Sequence, residues 1–529
     1  GRRWLAALQH HAQRCGEHGD IDRLIDVRGV GEVGEGVDLD QLQRPVLLPQ
    51  KVDAEDDVSL WAGRPDQVGK HRLQRGHGLV GALRHVVGQS DIAEAFHHHA
   101  RRRIHVAGVV DLHIGVGAGF MGGVVAALGA IVGPWLKEIT PRAGMLGTLC
   151  GIALVFIGSV PLAQIFESPI IAFTSLLFIL WGLIGRFRLP GNLPAGLVAI
   201  AAGTVIAIVL GESKVDVSGI GFYPPVPYIG DLLAGIQYLF ANPELFLVLI
   251  PVQIYNFIET MNNVESAEAA GDHYPVGLCQ VTDGAGTMLG ALFGSPFPTT
   301  VYIGHPAYKR LDAHAGYIIG VAVVIAAAAF VGLLSFLAGL IPVAAAAPVL
   351  VFVSVSLITN TAWAVKPMHM AAVSFAILPH ISAFLVTKWG SLMNALRSSG
   401  VEGLPSLGDE ALTAALLMEG AHYEGHLALS QGAIITGLIW GAIVADIIDG
   451  RFKMAGGFAI AASLMSSVGI IHSYKLQLPQ LDPITIGYLI VGAFMYLYPL
   501  VAPKEDLEHR IVVPDEPDFM DEDMPAHQA

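Results

Sequence analysis

Charge is scarce in this chain. Only 14% of its 529 residues are Asp, Glu, Lys or Arg, against 53% hydrophobic. Soluble domains carry about 25% charged residues, so an ordinary globular enzyme is excluded and a multi-span membrane protein is indicated. Cysteine is scarce too. Cys15, Cys150 and Cys279 are too few and too scattered for a disulfide framework or a zinc site. Positive charge is in deficit, with a net charge of −15, which gives no support to nucleic-acid binding. The 61 glycines fit a membrane bundle, where glycine is more frequent than in soluble helices.

Residues 1–112 lack Met, Asn, Thr and Tyr altogether, yet hold ten His and thirteen Arg. They contain no apolar run near 18 residues, so nothing there spans a bilayer. Helical and strand periods are both weak. The His97–His99 and Arg101–Arg103 cluster reads as a compositional accident rather than a metal or anion patch. The block 1–113 is therefore expected to be a non-membrane segment, disordered or mistranslated. The rival expectation is a genuine soluble extension.

From Ile114 apolar segments recur at about 114–134, 143–161, 168–185, 195–211, 244–266, 276–294, 315–340, 345–364, 368–387, 427–448, 454–472 and 484–502, with a short element at 295–306. Most approach the roughly 20 residues of a spanning helix. Backbone in lipid must satisfy its own hydrogen bonds, so an all-α polytopic membrane protein is expected. If 295–306 counts as a crossing, one side receives Lys137, Arg142, Arg186, Arg188, Lys309, Arg310, Lys366, Arg451, Lys453, Lys504 and Arg510. The other receives only Lys214, Lys388, Arg397 and Lys475. Eleven against four places the first side, with the acidic tail 503–529, in the cytoplasm. Thirteen crossings also leave residue 113 outside. An even-span transporter would need an odd number of further crossings, which 1–112 cannot supply, so the chain is expected to be truncated.

The chemistry concentrates in two stretches. In 244–266, Gln253, Asn256, Glu259, Thr260 and Asn263 recur at spacings of three and four, on one helical face. A charge at mid-bilayer costs at least about 2.5–3.5 kcal/mol. Glu259 has no Lys or Arg within any segment to pair with, which marks a pathway or binding site. Glu265, Glu268 and Asp272 lie nearer the cytoplasmic end, where solvation accounts for them. The second stretch is 294–306. Pro296, Pro298 and Pro306 cannot share one regular helix, and irregular backbone at membrane depth is tolerated where it is buried or lines a cavity. His305 is its one titratable group. Asp283 either couples an ion or ties broken helices together. Asp446 is expected to reach the interface. His369, His380 and His472 lie near span ends without a pattern.

NFIETMNNVESAEAAGD (256–272) and VTDGAGTMLGALFGSPFPTTVYIGHPAYKRLDAHAGY (281–317) resemble the xanthine/uracil permease family of nucleobase transporters, nearest its adenine/guanine/hypoxanthine branch. The resemblance covers about 114–472 and is most specific over 252–318. It implies an inverted-repeat (7+7) fold, here incomplete, with short strands in broken helices. A core domain would comprise 114–142 and 243–340, and a gate domain 143–242 and 341–502. The family's first three spans would be missing, so the chain as written is expected not to transport. Glu259 matches the acid that holds the base, and Asn256 sits where the purine branch often has a second acid. Asp283 matches a further acid, and Thr299, Thr300 and Tyr302 match the site-lining motif. Gly304, followed by His305, stands where the family usually has Glu or Gln.

No nucleophile–base pair or metal set stands out among the expected spans, so neither enzyme activity nor a resident cofactor is expected. The resemblance implies a proton or sodium as coupling ion, location in the inner (plasma) membrane, and as partners a nucleobase and the lipid bilayer. A homodimer is left open. The alternatives are a same-fold transporter of an organic or inorganic anion, and a non-transporting membrane protein.

Overall fold

The computed structural model describes residues 109–213, 215–314, 316–401 and 403–502. The expectations for 1–108 and for the tail 503–529 lie outside the described residues.

Besides three single-turn 3-10 helices at Pro190–Asn192, Pro243–Leu245 and Pro367–His369, seventeen helices are described, with no strand among the described residues. They are α1 (Val109–Ile139), α2 (Arg142–Glu167), α3 (Pro169–Ile184), α4 (Ala195–Val209), α5 (Ile229–Ala241) and α6 (Phe246–Ala269). Next come α7 (Val276–Leu292), α8 (His305–Arg310), α9 (Gly316–Phe330), α10 (Leu333–Leu340), α11 (Val343–Ala364) and α12 (Met370–Ser398). The series closes with α13 (Glu410–Met418), α14 (Tyr423–Ser430), α15 (Ala433–Ile448), α16 (Phe452–Ser467) and α17 (Pro483–Val501).

Among the described residues, six stretches are long and apolar enough to cross a membrane: Leu112–Ile139, Arg142–Glu167, Pro243–Ala269, Val343–Ala364, Pro367–Ser398 and Pro483–Val501. Two bent pairs raise the number to eight, α9 with α10 at 97° and α14 with α15 at 88°. Large apolar side chains such as Ile131, Val209, Phe222 and Trp363 point outward in numbers that water would penalise and lipid would not. The chain is a polytopic helical membrane protein.

Close helix packing rests on small residues. A Cβ on Gly123 would sit 2.7 Å from the Gly284 carbonyl, so α1 and α7 meet backbone to backbone. α1 also packs against α5 and α6, while α2 packs against α11, α12 and α15. Helix α5 falls in the range assigned from sequence to the gate, yet it lies on α1. Prolines explain local departures from regular helix. Residues 153–159 of α2 take π form just before Pro161, which cannot donate to the carbonyl four residues back. Pro251 likewise frees the Leu247 carbonyl of α6, which accepts instead from the Leu476 N–H at 2.7 Å.

Several expectations are corrected. The first helix starts at Val109, five residues before the sequence boundary. The single span expected at 315–340 breaks at Gly332, whose φ of +70° suits glycine. Gly432, at φ +77°, breaks the one expected at 427–448. Helix α12 runs on to Ser398, so Lys388 lies within a helix and His380 is fully buried well inside it, not near its end. Asp446 is buried, and Arg451, half exposed in the loop that follows its helix, approaches it at 2.7 Å. The short strand expected in 295–306 does not form: 295–302 is irregular. A strand needs a ladder partner, and here side chains take that part. The Thr299 N–H donates to Thr287 Oγ1 at 2.9 Å, and the Val301 carbonyl accepts from Asn263 Nδ2 at 2.8 Å.

Candidate functional site

The polar face of α6 meets the irregular 295–304 segment. Thr260 and Asn263 are one and four residues beyond Glu259, and both reach that segment. The hydroxyls of Thr260 and Thr300 lie 2.9 Å apart, and Asn263 holds Val301 as described. Asp283 on α7 completes the knot. Its Oδ2 accepts from Thr260 at 2.7 Å and its Oδ1 from Thr299 at 2.8 Å. The Thr299 hydroxyl also lies 2.9 Å from that of Thr287. One carboxylate and four hydroxyls thus clamp extended backbone between two helices. Of the two roles read from sequence for Asp283, this geometry displays the tie.

Glu259 stands apart from the knot. It is half-buried near the middle of a 24-residue helix. Its carboxylate makes no hydrogen bond or ion pair among the described residues, and Asp283 is a like charge near it. Asn256 Nδ2 and Asn263 Oδ1 are buried without partners, as is Gln253 Oε1. Such unpaired groups cost free energy unless something polar meets them. One helical face therefore offers a free carboxylate, a donor and acceptors.

Three of the residues singled out from sequence point elsewhere. Tyr302 is exposed and its ring stands 5.5 Å from that of Tyr308, which stacks on Tyr317. The Tyr302 phenol also covers the Cα of Gly304, filling the space a Cβ there would need. His305 begins α8, with Pro306 in the first turn where its missing N–H costs nothing. The His305 imidazole turns to Asp272, at 2.7 Å, and Lys309 reaches the other oxygen at 2.8 Å. The Lys309 ammonium holds the Asp272 carboxyl below the ordinary carboxylate range, and His305 adds to this, against an opposing effect of partial burial.

The sequence reading missed an ion-pair cluster at the end of α6. Glu265 is only 2% exposed, so it is not solvated. Lys137 of α1 lies 3.0 Å from it and Arg142 of α2 2.5 Å. Lys137 also pairs with Glu268, which His273 approaches at 3.3 Å. These groups line a cleft of about 480 Å³. It opens about 9 Å along the helix from Glu259, at 1.5 Å per residue. An acid at the third or fourth position around Glu259's own turn would have been found by periodicity. The Lys137–Glu265 partnership spans loops and helices and leaves no periodic trace.

Compared with known proteins, the chain matches no family model and no curated protein sequence.

Proposed function

We propose that the protein is a secondary active transporter of nucleobases such as xanthine, uracil, hypoxanthine or guanine, coupled to protons or sodium. The observation that carries this reading is the unpaired Glu259 carboxylate inside a membrane-spanning helix, beside backbone held irregular by Thr260, Asn263 and Asp283. A planar base offers N–H donors to a carboxylate and acceptors to an amide. Glu259 would take the first by charge-assisted hydrogen bonds, and Asn256 the second. The broken helices supply backbone polar groups where a regular helix could not.

The 7+7 repeat belongs to this reading, as do the core and gate domains. Helices α1, α6 and α7 act as the core, with α5 carried on α1. Helices α2, α11, α12 and α15 act as the gate. Lys137, Arg142, Lys309 and Arg310 mark the cytoplasmic end, and the inner membrane is the location. Charge favours a nucleobase over an anion, because Glu259 and Asp283 repel a negative cargo.

The test is binding of radiolabelled hypoxanthine, guanine, xanthine and uracil to the protein in proteoliposomes, competed with sulfate and dicarboxylates. Saturable nucleobase binding that anions do not compete supports the reading. Anion binding alone, or none of either, overturns it.

A further inference from the structure

The segment 468–482 between α16 and α17 is irregular, yet it is fastened at several points. Gly469 turns it back on itself at φ +77°, and the Gln477 N–H donates to the Val468 carbonyl at 2.9 Å. Ile471 within it is fully buried. Two bonds tie it to α6. The Tyr255 phenol donates to the Ile470 carbonyl at 2.5 Å, and the Leu476 N–H to the Leu247 carbonyl at 2.7 Å. A third ties it to the break between α14 and α15, where the His472 N–H donates to the Gln431 carbonyl at 2.9 Å.

The His472 side chain adds a chain of bonds whose directions are fixed. Helix α14 stops at Ser430, which leaves the Ala428 carbonyl without its helical donor, and His472 Nδ1 lies 2.8 Å from it. A carbonyl only accepts, so Nδ1 carries a proton. On the other side, Trp440 Nε1, which only donates, lies 3.0 Å from the Tyr488 hydroxyl. The phenol proton is thus free for His472 Nε2, at 3.0 Å, which must be bare to accept it. The uncharged imidazole satisfies every group in this chain. An imidazolium does not. Two N–H donors would then converge on the Tyr488 oxygen, and the phenol proton, on a residue 5% exposed, would lose its acceptor.

His472 also stands at φ +62°, a left-handed backbone that a non-glycine keeps only where its surroundings hold it. Helix α17 presents Asp482 as well as Tyr488 to the ring, and the Asp482 carboxylate is engaged by the Thr485 N–H at 2.8 Å. Helix α6 presents Tyr255, committed to Ile470. On α14, His426 turns to Ser382 at 3.0 Å and Glu424 is exposed. Helix α15 presents Trp440, which does not titrate, and the Lys453 of α16 lies at that helix's opposite end. Lys475, in the segment itself, lies over the Tyr474 ring. The Asp482 charge and the C-terminal dipole of α14 both favour a cation at His472, while the bond from Tyr488 favours the uncharged ring. These opposed pulls poise it for titration.

We propose that His472 is a pH-sensitive latch: uncharged, it fastens 468–477 across α6, α14 and α17, and on protonation it lets the segment loosen from them. This holds whether or not the protein transports.

The test is hydrogen–deuterium exchange of the full chain in detergent at pH 8 and pH 5, with exchange times scaled to the intrinsic rate at each pH. A histidine released from the chain titrates near its ordinary value of about 6.5. The uncharged form belongs to the fastened segment, so fastening is favoured above that value and lost as pH falls below it. Protection of the His472 and Leu476 amides should therefore fall about tenfold at pH 5. His472→Asn tolerates the left-handed backbone and does not titrate, so it should remove the pH dependence. Tyr488→Phe should lower protection at pH 8 and leave a smaller fall. Amides of α11 should keep their protection throughout. If His472→Asn does not fold, the unsubstituted chain and Tyr488→Phe decide. Equal protection of the segment at both pH values overturns the latch, as does an undiminished fall in either folded variant, or a fall of equal size in α11.

Discussion

Asp283 grips Thr299 at both ends of its own residue: the Thr299 hydroxyl lies 2.8 Å from Oδ1 and 2.9 Å from the Asp283 carbonyl oxygen. This contact, with Thr260 on the other carboxylate oxygen, holds the irregular segment against α6 and α7. Asp283→Ala removes the carboxylate acceptor of the Thr260 and Thr299 hydroxyls and leaves Thr299 only the backbone carbonyl of residue 283. A hydrogen bond to a charged group contributes about 1.5–3 kcal/mol, and a loss of at least that size is expected. Thermal unfolding in detergent measures it.

Glu259 behaves differently because it supports nothing. Glu259→Gln removes a charge without breaking any hydrogen bond, so the unfolding midpoint should hold or rise. Nucleobase affinity should fall roughly ten- to hundredfold, the equivalent of about 1.5–3 kcal/mol. Equilibrium binding reads the second effect. Unchanged affinity would make the carboxylate a bystander.

Gly304→Glu would place a carboxylate where the Tyr302 phenol now lies. The substitution alone should therefore destabilise, by about 1–3 kcal/mol as overpacking does. Adding Tyr302→Ala should relieve most of that cost. A double-mutant cycle on unfolding free energies gives the coupling. Additive effects would show that the ring moves aside freely.

The Lys137–Glu265 pair offers a similar cycle. Removing one partner, as in Lys137→Met, leaves the buried Glu265 carboxylate to Arg142 alone and should cost less than the roughly 3–5 kcal/mol of a fully stranded charge. Lys137→Met with Glu265→Gln should cost less than Lys137→Met alone. Arg142 still reaches Glu265, so Arg142→Gln in the Lys137→Met background should worsen the loss. Unfolding midpoints of the variants provide the comparison.

Asp272 gives a pH dependence with a definite sign. Lys309, then His305, depresses its folded carboxyl relative to the unfolded value near 3.9. A depressed carboxyl contributes stability above the unfolded value, and that stability is lost as pH falls through the folded value. Asp272→Asn should therefore reduce the difference in midpoint between pH 6 and pH 3. An unaltered difference would assign the acid sensitivity to other groups.

Apolar runs located most of the spans, because insertion free energy is close to a sum over a local window and needs no knowledge of neighbours. The polar stripe Gln253–Asn256–Glu259–Thr260–Asn263 was legible for the same reason: helical period is local. Prolines 296 and 298 announced irregular backbone because their missing N–H groups act wherever the chain goes. Helix α5 escaped notice because 13 residues with Asp231 fall short of a spanning window.

Tertiary structure alone decided that Glu265 is buried and paired while Glu259 is free, although both sit on one helix. It decided that His305 serves Asp272, and that the Tyr302 ring occupies the space beside Gly304. It set the 97° turn at Gly332, where the Gly221 and Tyr223 N–H groups donate to the Val331 and Phe330 carbonyls. Each of these depends on which groups meet in space, from two residues apart for Tyr302 and Gly304 to more than a hundred for Lys137, Arg142 and Glu265. Hydropathy and period sum over neighbours in sequence, whereas an ion pair or an orphaned amide is settled by neighbours in space.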